Sequence, residues 1–165
     1  MAGIVRDAIA ADLGAIVAAH VQADAETYRP IFRERFRERT RLECDRRWRD
    51  AFAAGDVLLV AEDQERVVGF AHAHGDWMSA LYLLASHYRQ GLGLALLSEL
   101  CRQTAARGLR AIEFQCVADN ANAIAFYETM GARRIGDKTE GEGDHRWKDL
   151  IFRLDTDRVT ASRRP

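Results

Sequence analysis

The residues best suited to bind an anion lie in a short turn between an apolar strand and a helix. The turn reads Gln90-Gly91-Leu92-Gly93 and is preceded by Arg89. The first turn of a helix has four backbone N–H groups without intrahelical partners, and its dipole adds partial positive charge. Glycines let a phosphate approach this backbone, and Arg89 offers a further charge. A tight strand-to-helix connection without a ligand explains the two glycines equally well.

Two common phosphate-binding motifs do not match this turn. A dinucleotide-binding fingerprint needs a third glycine three residues after Gly93, and that position is Leu96. The sequence also has no Gly-Lys-Ser or Gly-Lys-Thr, so the Walker pattern is missing. An ordinary nucleotide-binding α/β domain is therefore disfavoured.

A second segment, from Val117 to Ala132, changes the interpretation of the turn. Its informative residues are Asn120, Ala123, Phe126, Tyr127, Glu128 and Gly131. Together the turn and this segment resemble the GNAT acetyltransferase superfamily. That family has an R/Q-x-x-G-x-G/A turn after its fourth strand and an Asn-x-x-Ala-x-x-Phe-Tyr-Glu-x-x-Gly-Phe-like stretch after its fifth. The two motifs are specific only in combination, and the resemblance covers residues 3–154.

The sequence departs from the family pattern at two positions. Tyr88 occupies the R/Q position, and Arg89 and Gln90 follow one and two residues later. The backbone cradle needs only the glycines, so we expect phosphate binding to rest on N–H groups. Ala132 replaces the usual Phe after Gly131, a change that we expect to affect packing rather than chemistry.

The resemblance implies an N-acetyltransferase that uses acetyl-CoA as cosubstrate and acetylates a primary amine by direct attack. The backbone of Leu83, at a splay between strands four and five, would bind the pantetheine arm like an added strand. Asn120 would contact the pantetheine or the acceptor, and Tyr127 would lie near the thioester sulfur. The pyrophosphate would be bound by residues 88 to 94, namely Tyr88, Arg89, Gln90, Gly91, Leu92, Gly93 and Leu94.

Acetyl transfer also needs an acid for the thiolate and a base for the amine. Tyr127 is the predicted acid, because a phenol and a thiol have similar pKa values. Some family members place a Glu base five residues before the motif Asn, but that position is Gln115 here. Glu113 lies on the same strand face and is the predicted base, acting through water; an exposed strand-end carboxylate is an equal alternative.

Other polar side chains are weaker candidates. Tyr28 is predicted to line the acceptor pocket, since the family uses this region as an acceptor wall. His72 and His74 share a strand face and could supply a base or a metal pair, but no third ligand is evident and we expect no metal. His20 is predicted to be a packed core residue, and Cys116 a small buried hydrophobe on the face opposite Gln115.

The elements that must position these residues follow from hydrophobic spacing and turn residues. We expect strands at 4–6, 57–61, 67–74, 80–84, 109–117, 132–136 and 147–154, and helices around 13–21, 28–54, 91–107 and 120–130. This mixed order predicts an α/β or α+β fold. The resemblance specifies a mostly antiparallel central sheet flanked by helices, with the splay between strands four and five. We expect one domain over residues 1–165, with a core over 3–154 and a polar, frayed tail over 155–165.

Bulk composition limits the partners. With 24 basic and 25 acidic side chains, the chain shows no bias toward nucleic acid or a membrane surface. Three scattered cysteines, no signal peptide and no run of about 18 apolar residues predict a cytoplasmic protein. We expect a small-molecule or peptide amine as substrate, and the resemblance allows a homodimer. The alternative is a non-catalytic acyl-CoA-binding module, which Gln115 keeps open.

Overall fold

The computed structural model describes residues 3–161 and contains one mixed sheet with helices on both faces. The strands are β1 (Ile4–Asp7), β2 (Val57–Asp63), β3 (Arg66–His74), β4 (Trp77–Leu83), β5 (Ala111–Val117), β6 (Arg133–Glu140) and β7 (Trp147–Asp155). The helices are α1 (Leu13–Phe32), α2 (Arg41–Ala53), α3 (Leu92–Ala106), α4 (Ala121–Thr129) and α5 (Thr156–Ala161). No helix among the described residues is long and apolar enough to cross a membrane.

The sheet has the order β1-β2-β3-β4-β5-β7-β6, and β4 and β5 are its parallel neighbours. These two strands are paired at Trp77 and Glu113, where the Glu113 N–H donates to the Asp76 carbonyl at 2.8 Å. Beyond this point the strands diverge, while the other neighbouring pairs in the described sheet are antiparallel. The predicted fold class and the splay between strands four and five are confirmed.

Two apolar cores lie on the two faces of the sheet. On one face α3 and α5 pack together over the strands, and Leu97 and Leu100 of α3 are fully buried. On the other face α1 and α2 cover β2 to β4, with Ile16 and Trp48 fully buried. The splay therefore opens between two helical layers, each held by its own core.

The first two helices differ from the predicted boundaries. Helix α1 runs through Pro30 to Phe32, because a proline in the last turn removes only one of the helix's hydrogen bonds. Helix α2 begins only at Arg41, where Thr40 and Glu43 form a capping box. The Thr40 hydroxyl accepts from the Glu43 N–H at 3.2 Å, and the Glu43 carboxylate accepts from the Thr40 N–H at 2.9 Å.

The C-terminal part of the chain is also more regular than expected. Strand β6 continues to Glu140 instead of ending at 136, because it pairs along β7. The tail predicted to fray from residue 155 forms α5, and Val159 is buried in the core beneath α3. The last four residues of that prediction, 162–165, lie outside the described residues.

Candidate functional site

The splay between β4 and β5 opens into a cleft of about 1340 Å³. Its walls come from α1, α2 and the start of β7 on one face of the sheet, and from the start of α3 and α4 on the other. A molecule in this cleft therefore meets groups from both faces.

The glycine turn forms the end of the cleft at the start of α3. Gly91 has a φ of 83°, in the left-handed region, and directly precedes the helix. Its carbonyl accepts the first helical bond, from the Ala95 N–H at 2.9 Å, which leaves the N–H groups of residues 92–94 without intrahelical partners. No protein atom lies within 4 Å of where a Gly91 Cβ would stand. The predicted anion cradle thus has both free donors and open space.

The predicted cofactor residues divide into two groups. Most of them line the cleft: Leu83, Tyr88, Arg89, Gly91, Gly93, Leu94, Asn120 and Tyr127. Gln90 and Leu92 do not: the Gln90 amide donates to the Ser86 carbonyl at 3.0 Å, and Leu92 is buried in the core. Leu92 can therefore reach a ligand only through its backbone. Asn120 caps α4, because its side-chain oxygen accepts from the Ala123 N–H at 3.2 Å.

The edge of β4 that faces the splay carries unpaired backbone groups. The Leu84 N–H donates to the Val68 carbonyl of β3 at 2.8 Å. Because successive residues of a strand direct their N–H and C=O groups to opposite sides, those of Leu83 and Leu81 point away from β3 and toward the splay. This edge can pair with an extended ligand as it would with another strand.

Tyr127 lies on the opposite side of the splay, in α4. Its ring packs against Phe114 of β5 at 4.3 Å between centroids, and the residue is buried. Burial raises the pKa of its phenol, and the neighbouring Cys116 and Tyr28 raise it further. The hydroxyl therefore stays protonated, which is the state that an acid requires.

The comparison with known families decides what this arrangement is. The model of the acetyltransferase (GNAT) family matches residues 20–132, which include the glycine turn, both strands of the splay and Tyr127. The chain belongs to the GNAT acetyltransferase family.

Solved structures of similar acetyltransferases share this fold. An N-acetyltransferase from Staphylococcus aureus Mu50 is 23% identical with a TM-score of 0.76, covering 93% of this chain and 98% of the other. The yncA protein of Salmonella typhimurium, solved with its cofactor acetyl-CoA, is 23% identical with a TM-score of 0.74, covering 94% and 95%. The L-ornithine N5-acetyltransferase NATA1 of Arabidopsis thaliana is 30% identical over 84 residues, which are 51% of this chain and 35% of that protein.

Aromatic residues of α1 form one wall of this GNAT cleft. Tyr28 lines it and stacks on Phe32 at 5.8 Å, and Phe32 in turn contacts Trp147 of β7 at 5.6 Å. Burial is the main cause that raises the pKa of Tyr28 to about 12. Arg35, just after α1, donates to the carbonyl of Arg146 before β7 at 3.4 Å. The wall predicted from Tyr28 thus joins the end of α1 to the start of β7.

Glu113 does not line the cleft in this GNAT protein. It lies where β4 and β5 are still paired, at the closed end of the splay. Its carboxylate accepts from Arg153 of β7 at 2.8 Å. This position and this ion pair argue against the predicted role as base, because the carboxylate is engaged and distant from the open part of the splay.

The two candidate histidines belong to a hydrogen-bond network centred on Asp56. His72 Nε2 and His74 Nδ1 lie 2.8 Å and 2.7 Å from the Asp56 carboxylate, and His72 Nδ1 lies 2.5 Å from the Ser79 hydroxyl. Desolvation lowers the pKa of His72, although Asp56 opposes this effect. Within the described residues, no group of three or more His, Cys, Asp or Glu side chains could hold a metal ion.

The predictions for His20 and Cys116 are confirmed. His20 is 1% exposed, and its Nδ1 accepts a hydrogen bond from Trp48 Nε1 at 3.1 Å in the core beneath α1 and α2. Cys116 is buried in the core beneath α3, on the sheet face opposite Gln115, and it is also one of the residues that line the cleft.

Asp149 is a cleft residue that the sequence reasoning missed. It lies in β7 opposite Val117 of β5 and is only 3% exposed. Its Oδ1 accepts from Trp147 Nε1 at 3.1 Å. The signal in the sequence is weak, an acid two residues after a tryptophan in an alternating strand, and only the pairing of β7 with β5 brings it to the cleft.

Proposed function

We propose that this GNAT protein transfers the acetyl group of acetyl-CoA to a primary amine by direct attack of the amine on the thioester. One observation carries the proposal. A single cleft joins the left-handed Gly91 turn, the free edge of β4 and the buried phenol of Tyr127. These are an anion site, a site for an extended chain and an acid, in the order in which a coenzyme A thioester would meet them.

The backbone would hold the cofactor. The pyrophosphate would accept hydrogen bonds from the N–H groups of residues 92–94, and Arg89 would add a charge at the same end of the cleft. The amide groups of the pantetheine would pair with the backbone of Leu81 and Leu83 along the free edge of β4. This path leads the thioester toward Tyr127.

The chemistry then needs charge stabilisation and proton transfer. A backbone N–H on the free edge of β4 would stabilise the oxygen of the tetrahedral intermediate. Tyr127 would donate its proton to the leaving thiolate. The raised pKa of its phenol means that this proton is present at neutral pH.

The acceptor would be an amine on a small molecule or a peptide. NATA1 acts on L-ornithine, as its name states, and a phosphinothricin acetyltransferase of Sinorhizobium meliloti was solved with acetyl-CoA at 23% identity and a TM-score of 0.73. A ribosomal-protein-alanine N-acetyltransferase of Brucella melitensis is similarly related, at 24% identity. We also propose a cytoplasmic location, which three free, buried cysteines support.

The decisive experiment combines binding and turnover. Isothermal titration should show that the protein binds acetyl-CoA, and a screen of amines should show amine-dependent release of free thiol. No binding would refute the proposal. Binding without thiol release in the presence of any amine would favour a non-catalytic acyl-CoA-binding module. The presence of Gln115 in place of an acid is consistent with that alternative.

A further inference from the structure

We propose that Asp149 accepts the proton of the attacking amine and thus is the base of the acetyl transfer. The inference rests on the proposed function, and it assigns a role to a residue of β7 that lies outside both sequence motifs.

Three carboxylates are buried within the described part of the chain, and two of them have an arginine partner. Asp12 is bound by Arg6 at 2.7 Å, and Asp24 by Arg39 at 2.9 Å. Asp149 forms no ion pair with a described residue. A buried carboxylate without a cation is costly, because desolvation is not offset by attraction. An ammonium group entering the cleft would supply that cation.

The carboxylate has room for one more donor. Trp147 Nε1 binds Oδ1 at 3.1 Å, and no described donor binds Oδ2. The indole bond also fixes the orientation of the carboxylate, while Asp149 itself borders the cleft. An amine could therefore donate a hydrogen bond to Oδ2 without displacing a protein group.

Asp149 faces the acceptor side of the sheet. In β7 the residues Phe152 and Leu154 pack in the core beneath α3, so the alternate residue Asp149 points to the opposite face. Trp147 on that face contacts Phe32 of α1. Asp149 therefore lies on the side of the wall that carries Tyr28.

Tyr127 lies on the other side of the sheet, against Phe114. Phe114 and Cys116 of β5 belong to the core beneath α3, whereas Val117, the partner of Asp149 in the ladder, alternates to the acceptor side. A thioester in the splay would have the acid on one face and Asp149 on the other. The ammonium would then lose its first proton to Asp149, while the thiolate receives its proton from Tyr127 on the other face.

The charges around Asp149 leave it able to act as a base. Lys138 and Glu140 of β6 face it, but they pair with each other at 2.5 Å. Tyr28 of α1 and Cys116 of β5 are uncharged neighbours, since burial raises the pKa values of both. Burial is also the main cause that raises the pKa of Asp149, and the Trp147 bond opposes it. A higher pKa makes a carboxylate a stronger base.

Each proton in the transfer has a donor and an acceptor. The ammonium gives one proton to Asp149, and the neutral amine attacks the thioester carbon. The C–N bond forms and the C–S bond breaks as Tyr127 gives its proton to sulfur. The second proton of the nitrogen returns to the Tyr127 oxygen, directly or through water. Asp149 then loses its proton to solvent, so that each turnover releases one amide, one thiol and one proton.

The test compares Asp149→Asn with the wild type, using an amine that the wild type acetylates. The asparagine keeps the bond from Trp147 but cannot take a proton. We expect kcat/KM to fall by about 10²- to 10⁴-fold at neutral pH, with the Kd for acetyl-CoA unchanged. In the pH profile of the wild type, kcat/KM should fall as the pH drops through the pKa of Asp149. This decrease at low pH should be absent in the variant. Asp149→Glu should restore part of the rate and the decrease of kcat/KM at low pH.

Two controls make the result specific. Asp137→Asn removes an exposed carboxylate of β6 that pairs with Arg134 and Lys148, and it should leave kcat/KM unchanged. His72→Gln tests the other route for the proton, through the Asp56 network. The inference is wrong if Asp149→Asn keeps both the wild-type rate and the decrease of kcat/KM at low pH. It is also wrong if His72→Gln, rather than Asp149→Asn, removes that decrease. A wild type that acetylates no amine would overturn the proposed function as well.

Discussion

Replacing each of the two glycines at the start of α3 with alanine should separate two effects. One is the cost of the left-handed backbone, and the other is the loss of space for the phosphate. Gly91 is left-handed, with a φ of 83°, and a Cβ there would meet no protein atom within 4 Å. The cost of Gly91→Ala is therefore conformational. The left-handed region costs an alanine about 1–2 kcal/mol, and the smaller entropy of the unfolded chain offsets about 0.4–1 kcal/mol of this. We expect a net loss of about 1 kcal/mol.

Gly93→Ala is the matched variant, because Gly93 lies in the first turn of α3 with ordinary helical geometry. A Cβ there would stand 3.8 Å from the Phe126 ring, an ordinary contact. Alanine is favoured over glycine in a helix, so this variant should gain about 0.5 kcal/mol. For a chain of this size, 1 kcal/mol corresponds to about 2–4 °C in Tm. Thermal unfolding followed by circular dichroism should therefore move in opposite directions for the two variants.

The affinity for acetyl-CoA should fall in both variants. Gly91→Ala should disturb the N–H groups that we propose to bind the phosphate, and Gly93→Ala should place a methyl group in the cleft that both glycines line. The loss of one hydrogen bond to a charged group, about 1.5–3 kcal/mol, raises the Kd about tenfold or more by titration calorimetry. If Gly93→Ala is more stable but binds as tightly as the wild type, the pyrophosphate does not lie at this turn. An unchanged Tm for Gly91→Ala would refute the conformational reasoning.

Two further predictions concern the acid and the core. Tyr127→Phe should lower kcat by about 10²-fold or more in a thiol-release assay, with little change in the Kd for acetyl-CoA; an unchanged rate would remove Tyr127 from the mechanism. Burial lowers the pKa of His20 from 6.5 to about 3 in the folded protein. As the pH falls, this histidine therefore takes up a proton in the unfolded chain before it does so in the folded chain. The free energy of unfolding should thus decrease from about pH 6.5 toward pH 3, and less steeply in His20→Gln, as measured by urea unfolding. Equal slopes would contradict this linkage.

The sequence was most informative where a function depends on a few adjacent residues. The Gly91 turn and the capping of α4 by Asn120 are local features, fixed by backbone conformation within a single turn of chain. The hypothesis for Tyr127 followed from the resemblance of its segment to the GNAT motif. The element types and the splay followed from hydrophobic patterns together with the family resemblance.

The fold boundaries that were missed have both local and distant causes. Pro30 is tolerated because α1 ends two residues later, and α2 starts at its own capping box. Helix α5 exists because Val159 is buried beneath α3. The packing of α5 cannot be read from a short window of sequence, whereas the capping box of α2 is a local pattern that marks the start of that helix.

From the sequence and its family resemblance came the fold, which is confirmed, and the hypotheses for the cofactor site and the acid, whereas the tertiary structure decided the surroundings of the remaining acids. Glu113 looked available, but the pairing of β5 with β7 places it beside Arg153, 40 residues away. The same pairing brings Asp149 to the cleft without an ion-pair partner among the described residues. The physical reason is that a strand fixes only which face a side chain occupies, while the register between distant strands fixes which charges it meets.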